Sequence, residues 1–126
     1  MKKEIPILFF TLLFSLAPSC EYITVAEKPC NVEDPLEDLD WLKDIKTSME
    51  LNMGMAGSQI IQYTYNDSTV FWVDICYGCA DNMIVVYNCK GDEVCRFGGI
   101  AGFNTCPDFE ENATDKTMLF NNINIE

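Results

Sequence analysis

Seven cysteines in a chain of 126 residues are the feature that most restricts how this chain can fold. Four of them lie within one segment, CYGCADNMIVVYNCKGDEVC, and two of these form a C-x2-C pair. Cysteines in such a pattern can bind a metal, carry out redox chemistry or form structural disulfides. The compartment of the protein separates these alternatives, because disulfides persist in oxidising surroundings.

The N-terminus has the layout of a secretory signal peptide. A short basic start, Met1-Lys2-Lys3, is followed by an apolar run of about a dozen residues and then by small residues. The run is too short to remain as a membrane span, which needs about 20 apolar residues. We therefore expect residues 1–19 to be a signal peptide and the exported protein to begin at Cys20.

Cys20 is expected to carry a lipid. The sequence Leu16-Ala17-Pro18-Ser19-Cys20 resembles a loose bacterial lipobox, in which the cysteine becomes the lipid-bearing first residue. An odd number of cysteines in an exported protein needs an explanation, and lipidation of Cys20 leaves six for pairing. The same residues suit ordinary signal peptidase, so the alternative is that Cys20 only follows the cleavage site. The expected location is the bacterial outer membrane, on its periplasmic or cell-surface side.

The composition argues against several functions. Without the signal peptide the chain has 6 basic and 19 acidic residues, a net charge of −13, which disfavours nucleic acid and anionic lipid as partners. There is no histidine, so Ser-His-Asp and Cys-His nucleophiles and histidine-ligated zinc are excluded. A glycine-rich phosphate loop is also missing. We expect no catalytic residue, no cofactor and no bound metal.

These exclusions leave a binding or interaction module as the expected function, with a protein or a glycan as the partner. Two alternatives belong to other classes. One is an envelope enzyme that uses a carboxylate pair or the Cys76/Cys79 dithiol, and the other is a metal-binding protein.

The exported chain is predicted to be one α+β domain, at 34–126, on a membrane tether at 20–33. Asp34 suits a helix N-cap and Pro35 the first helical position, so one helix is predicted from residue 35 to about residue 48. The remainder is rich in β-branched and aromatic residues separated by turn residues, which predicts an antiparallel meander of about four to five strands. The predicted strands are 58–65, 69–75, 83–89 and 93–97, with an edge strand from Thr117 onwards.

Structural disulfides explain the cysteines better than a metal or redox site. A zinc site usually has two C-x2-C pairs separated by about 15 to 20 residues. Here the second pair is C-x5-C and the spacer has nine residues. A thioredoxin-type C-x2-C opens a helix, whereas Cys76-Tyr-Gly-Cys79 leads into another strand. The residues expected to be oxidised are Cys30, Cys76, Cys79, Cys89, Cys95 and Cys106.

Cys89–Cys95 is the favoured pair among these six. A three-residue turn at 91–93 would place the two residues directly opposite each other, with Cα atoms about 4.5 to 5.5 Å apart and within disulfide range. A two-residue turn would instead place Cys89 opposite Val94. The other four cysteines have three possible pairings, and the sequence does not choose among them.

The motifs C-x2-C, C-x-G, C-x-F-G-G-I-A-G and C-P-D-F occur in this order between Cys76 and Phe109. In this arrangement the chain resembles a family of short exported proteins of Bacteroides-type bacteria, mostly lipoproteins with no assigned activity. The resemblance covers roughly residues 41–120. It implies export and the domain limits, and it implies no catalytic residue. In such bacteria Asp67-Ser68-Thr69 resembles a protein O-glycosylation acceptor, which makes Ser68 a candidate glycosylation site.

Overall fold

The computed structural model describes residues 27–51 and 57–123, together with Pro18. Short helices pack on an antiparallel β-sheet, so the predicted α+β class is confirmed. Cys20, most of the predicted signal peptide and residues 20–26 of the predicted tether lie outside the described residues.

The sheet has six strands, one more than the sequence analysis predicts at most. The strands are β1 (Gln59–Tyr65), β2 (Ser68–Asp74), β3 (Met83–Tyr87), β4 (Glu93–Gly98), β5 (Phe103–Asn104) and β6 (Thr114–Asn121). Their order across the sheet is β5-β4-β3-β2-β1-β6. The additional strand is β5, which is too short to show an alternating pattern. The edge strand predicted from the tail is confirmed as β6, and it begins before Thr117.

The turn between β1 and β2 follows from local residue chemistry. Asn66 and Asp67 have φ values of 48° and 60°, and Tyr65 pairs with Ser68 directly across the turn. A two-residue turn of this kind needs positive φ at both central positions, which Asn and Asp accept more readily than other side chains. Ser68, which we expected in the turn, is the first residue of β2.

Among the described residues, three α-helices accompany the sheet: α1 (Pro35–Asp38), α2 (Asp40–Leu51) and α3 (Phe109–Asn112), and a 3-10 turn at Pro29–Asn31 precedes them. The predicted helix start is confirmed, since Pro35 is the first residue of α1 and the Asp34 side chain accepts a hydrogen bond from the Leu36 N–H. The single helix predicted over 35–48 is interrupted at Leu39, where the backbone is extended. With this interruption Leu36 and Leu39 both pack against one core.

That core lies on the first face of the sheet, under α1 and α2. Leu42 and Met49 of α2 pack with Ile60, Phe71 and Val73 of the sheet, and each of the five is at most 4% exposed. We call this cluster the helix-face core. Burial of each such side chain contributes about 1.5 to 3 kcal/mol, which explains why a helix with a largely polar outer surface stays on the sheet.

The second face is covered by the chain between β5 and β6, which lie at opposite edges of the sheet. This connection contains α3, and Phe109 of α3 packs with Tyr65, Val70 and Val86. Phe109 is 3% exposed, so the connection is a structural part of the core. Neither α3 nor this crossing was predicted from the sequence, because four residues do not show a helical period.

The six described cysteines form three disulfides, Cys30–Cys89, Cys76–Cys79 and Cys95–Cys106. The favoured Cys89–Cys95 pairing is therefore wrong. Tyr87 pairs with Glu93 and Val86 with Cys95, so the loop between β3 and β4 is longer than the turn we assumed. Cys95 consequently lies inside β4 and packs in the core of the second face, whereas Cys89 lies in the loop and packs against the helix-face core.

The two ends of the sheet carry different connections. The first, which we call the tethered end, has the β1–β2 turn and the β3–β4 loop, where Cys30 is bound to Cys89. The second, the distal end, has the β2–β3 loop at 75–82 and the β4–β5 turn at 99–102, which leads into Phe103. Asp74 pairs with Gln59 at the start of β1, and Gly98 pairs with both Met83 and Phe103, so these connections lie at one end of the sheet.

Candidate functional site

Exposed apolar side chains are grouped at the distal end. Ile75 and Tyr77 of the β2–β3 loop are 58% and 49% exposed, and Ile100 of the β4–β5 turn and Phe103 are 88% and 53% exposed. Among the described residues, these are four of the seven large apolar side chains that are exposed. Single exposed apolar residues are normal, but several at one end of a small domain indicate an interaction surface.

The loop segments at this end have almost no charge. Segments 75–82 and 99–105 contain one charged residue, Asp81, in a chain in which 22% of residues are charged. The β3–β4 loop at the tethered end, by contrast, contains Lys90 and Asp92 and leads directly into Glu93. Depletion of charge together with exposed aliphatic and aromatic side chains is the composition of the centre of a protein–protein interface.

Backbone hydrogen bonds join the distal connections to each other. The Gly99 N–H donates to the Asn82 carbonyl oxygen at 2.9 Å, and the Tyr77 N–H donates to the Gly57 carbonyl oxygen at 2.9 Å. Gly98 has a φ of 98°, and a Cβ atom there would collide with the Asn82 carbonyl oxygen, so the close approach requires glycine. A surface that is already ordered loses less conformational entropy when a partner binds.

Asp74 is the polar centre of this arrangement. It is 3% exposed, and its carboxylate accepts hydrogen bonds from the Cys76 N–H at 3.2 Å, from Asn82 Nδ2 at 2.6 Å and from Gln59 Nε2 at 3.5 Å. A buried carboxylate is costly unless such donors surround it. Because Cys76 and Asn82 lie near the two ends of the β2–β3 loop, Asp74 fixes the loop to the sheet.

The structure separates the cysteines that the sequence analysis singled out. Cys76–Cys79 lies at the distal end beside the exposed apolar side chains, Cys30–Cys89 lies at the tethered end, and Cys95–Cys106 lies under the second face. Ser68, the candidate glycosylation site, is exposed at the tethered end. Cys20, the expected lipid attachment site, lies outside the described residues.

Sequence reasoning missed Asp74 and the exposed apolar group. Segment 97–102 entered the sequence analysis only as part of the motif C-x-F-G-G-I-A-G, which gives no reason for Ile100. The available signal was the absence of charge from the two loop segments. A search for uncharged loops with aliphatic residues would have found Ile100 without a structure, whereas Ile75 belonged to the predicted strand 69–75 and leaves the strand only in the structure.

The described residues contain neither a metal-binding cluster nor a helix able to span a membrane. Across 27–51 and 57–123, no group of three or more His, Cys, Asp or Glu residues is arranged to hold a metal ion. In the same part of the chain, no helix has both the length and the apolar character that crossing a bilayer requires.

A family model for a domain of unknown function, DUF6970, matches residues 46–122. The chain belongs to the DUF6970 family. The region matched to DUF6970 starts inside α2 and contains all six strands, and therefore both faces of the sheet and the distal end. Cys30 precedes it, although its disulfide partner Cys89 lies within it. No curated protein and no solved structure matches the chain.

Proposed function

We propose that this DUF6970 protein is an exported, lipid-anchored component of the bacterial cell envelope, and that its distal end binds a partner protein. One observation carries the proposal. The exposed side chains of Ile75, Tyr77, Ile100 and Phe103 all belong to segments at the end of the sheet opposite the Cys30–Cys89 disulfide.

The signal layout and the disulfides support export, and the number of cysteines supports a lipid anchor. The first 19 residues have the layout of a signal peptide. The three disulfides suit an oxidising compartment. They use six of the seven cysteines and leave Cys20 for a lipid. The resemblance to exported lipoproteins of Bacteroides-type bacteria points to the same location.

The position of the Cys30–Cys89 disulfide relates the anchor to the binding surface. Cys30 follows Cys20 by ten residues, and ten extended residues span at most about 33 to 36 Å. A lipid on Cys20 would hold the tethered end of the sheet within this distance of the membrane. When the tether extends from the bilayer, the distal end, about 20 Å further along the strands, would be presented to a partner away from the membrane.

The chemistry of the distal end favours a protein over a glycan as the partner. Ile75 and Ile100 offer aliphatic surface and no hydrogen-bonding group to a polyhydroxylated ligand. Their removal from water by a complementary apolar surface contributes about 25 cal/mol per Å². The acidity of the whole chain further disfavours nucleic acid and anionic lipid.

Site-specific photo-crosslinking in the native host tests the binding surface. A photoreactive amino acid at Ile100 is expected to give a discrete adduct with a partner protein, and the same probe at Lys90 in the tethered end is expected to give none. In the Ile100 probe protein, Tyr77→Ser is expected to weaken the adduct, because it removes neighbouring apolar area. Equal adducts from both probe positions, or none from Ile100, would contradict the proposal.

The anchor requires a separate experiment. Cys20→Ala is expected to abolish labelling with a radioactive or clickable fatty acid and to release the protein from membranes. Ser19→Ala, which leaves Cys20 in place, is the control and is expected to remain attached. If the intact mass of the native protein shows an unmodified Cys20, the lipid anchor is wrong, whereas the binding surface is unaffected.

A further inference from the structure

We infer that the Cys76–Cys79 disulfide is redox-active, which means that it opens and closes in the folded protein by exchange with a dithiol of another protein. The inference goes beyond the proposed binding function. It requires that thiols reach the distal end, but it does not require that the partner bound there is the redox partner.

The three disulfides differ in how much they stabilise the fold. The sequence separations are 59 residues for Cys30–Cys89, 11 for Cys95–Cys106 and 3 for Cys76–Cys79. A disulfide restricts the unfolded chain more when it closes a longer loop, so Cys76–Cys79 contributes least to folding. Its opening therefore costs the protein the least stability.

The β2–β3 loop has other interactions that hold its conformation. Asp74 accepts hydrogen bonds from the Cys76 N–H and from Asn82 Nδ2. The Cys79 N–H donates to the Cys76 carbonyl oxygen at 3.1 Å, and the Asn82 N–H donates to the Cys79 carbonyl oxygen at 3.2 Å. These bonds do not involve sulfur. After reduction they are expected to keep the two thiols close together, so that the disulfide can form again.

A thiolate of another protein has access to this disulfide. Tyr77 and Gly78, between the two cysteines, are exposed, and no atom lies within 4 Å of the position that a Cβ atom of Gly78 would occupy. Cys95 and Cys106, by contrast, are 2% and 6% exposed in the core of the second face. Thiol–disulfide exchange needs an accessible sulfur atom. Cys76 and Cys79 are half-buried, as are Cys30 and Cys89, so exposure disfavours only Cys95–Cys106, and the short loop of three residues separates Cys76–Cys79 from Cys30–Cys89.

Atoms and electrons are conserved in this exchange when a dithiol of the partner protein is the reductant. One partner thiolate attacks the sulfur of Cys76 or Cys79, the bond between these two sulfurs breaks, and a mixed disulfide forms. The released thiolate takes a proton. The second partner thiolate then attacks the partner's own sulfur in the mixed disulfide and releases the remaining cysteine, which also takes a proton. The partner gains a disulfide, and Cys76 and Cys79 have received two electrons and two protons.

The first test uses the unmodified protein and no variant. Oxidised protein is equilibrated with graded ratios of reduced to oxidised dithiothreitol, free thiols are alkylated, and the bridges are mapped by mass spectrometry. Cys76–Cys79 is expected to open with an equilibrium constant at least about tenfold more favourable than either other bridge, which corresponds to about 30 mV. Tryptophan fluorescence is expected to stay native at that point. Reduction of Cys76–Cys79 only together with the other bridges, or only on unfolding, would overturn the inference.

The second test measures the reaction with a substrate. A fluorogenic peptide that carries two free thiols is expected to be oxidised by the wild-type protein at least about tenfold faster than by Cys76→Ser/Cys79→Ser. Asp81→Asn, in the same loop, removes neither sulfur atom and is expected to match the wild type. Equal rates for the wild type and the double variant would overturn the inference. Because the peptide needs no docking surface, this result is independent of the crosslinking result at Ile100.

Asp74 is expected to act as a positioning residue for the pair. Asp74→Ala removes the acceptor of the Cys76 N–H and Asn82 Nδ2 bonds, so the reduced thiols would be less well aligned to close again. The variant is expected to shift the Cys76–Cys79 equilibrium towards the dithiol, while Gln59→Ala, which removes only the longest of the three bonds, shifts it less. An Asp74→Ala equilibrium identical to that of the wild type would show that the loop does not align the thiols.

Discussion

The indole Nε1 of Trp41 donates a hydrogen bond to the backbone carbonyl oxygen of Cys89 at 3.1 Å. The bond joins α2 to the β3–β4 loop at the place where Cys30 is bound to Cys89. The Trp41 ring also lies against Phe71 and Tyr87, with ring centroids 5.7 and 5.5 Å apart. Trp41 therefore connects α2 to the sheet and to the β3–β4 loop, and through the Cys30–Cys89 disulfide this loop is joined to the predicted tether.

Trp41→Phe is expected to lower the free energy of unfolding by about 1 to 3 kcal/mol, because the Cys89 carbonyl oxygen loses its donor. Trp72→Phe is the matched control. The Nε1 of Trp72 is buried and has no acceptor among the described residues, so phenylalanine there removes an unpaired polar group. Urea denaturation measures both variants. If Trp72→Phe lowers the free energy of unfolding more than Trp41→Phe does, the hydrogen bond from Trp41 to the Cys89 carbonyl oxygen is unimportant for stability.

Gly91→Ala is expected to destabilise the protein through backbone strain and through overpacking against Trp41. Gly78→Ala is the control, because it causes only the backbone strain. The φ values are 82° at Gly91 and 79° at Gly78, so alanine costs about 1 to 2 kcal/mol of backbone strain at either position. At Gly91 a Cβ atom would also lie 2.8 Å from Trp41 Cγ, which adds about 1 to 3 kcal/mol of overpacking. Chemical denaturation measures the difference. If both variants lose the same free energy of unfolding, Trp41 moves aside for the new Cβ atom at no energetic cost.

The hydrogen bond from the Tyr65 hydroxyl to Asp108, 2.8 Å long, lowers the pKa of Asp108 and raises the pKa of Tyr65. A carboxyl group whose pKa is lower in the folded protein stabilises the fold at pH values above its unfolded pKa of about 3.9. This contribution is lost as the pH falls through the folded pKa. A tyrosine whose pKa is raised in the folded protein stabilises the fold at pH values below its unfolded pKa of about 10. This contribution is lost as the pH rises through the folded pKa.

Tyr65→Phe is therefore expected to lower the melting temperature by a constant amount between about pH 5 and pH 9, and by progressively less below about pH 4. Tyr63→Phe is the control. Burial, with no carboxylate partner, raises the pKa of Tyr63, so its effect is expected not to vary in the acid range. Thermal unfolding followed by circular dichroism from pH 2 upwards compares them. Parallel pH profiles for the two variants would exclude a contribution from Asp108.

The disulfides are expected to differ in their contribution to stability. Cys30→Ala/Cys89→Ala opens the bridge with a separation of 59 residues and is expected to cost about 4 kcal/mol. Cys76→Ala/Cys79→Ala opens the bridge with a separation of 3 residues and is expected to cost about 2 kcal/mol. Denaturation without reductant measures both free energies. A greater cost for the Cys76/Cys79 variant would contradict both this order and the proposed dispensability of that bridge for folding.

The sequence by itself determined the features that depend on neighbouring residues. Asp34 and Pro35 mark the first helix because an N-cap acceptor and a fixed φ act within one turn of chain. Asn66 and Asp67 mark the first hairpin because they accept positive φ. The richness in β-branched and aromatic residues between turn residues predicted the antiparallel strands, and the number and spacing of the cysteines predicted disulfides rather than a zinc site.

Only the tertiary structure decided which distant residues meet. The interruption at Leu39 depends on the core under α1 and α2, and the two-residue β5 exists only as a partner of β4. Cys89 and Cys95 are close in sequence, but the register of β3 and β4 places Cys95 in the core of the second face and leaves Cys89 in the loop against the helix-face core, so each pairs with a cysteine from elsewhere. The distal surface has the same origin, because Ile75 and Ile100 belong to separate loops that the antiparallel order of the strands brings to one end.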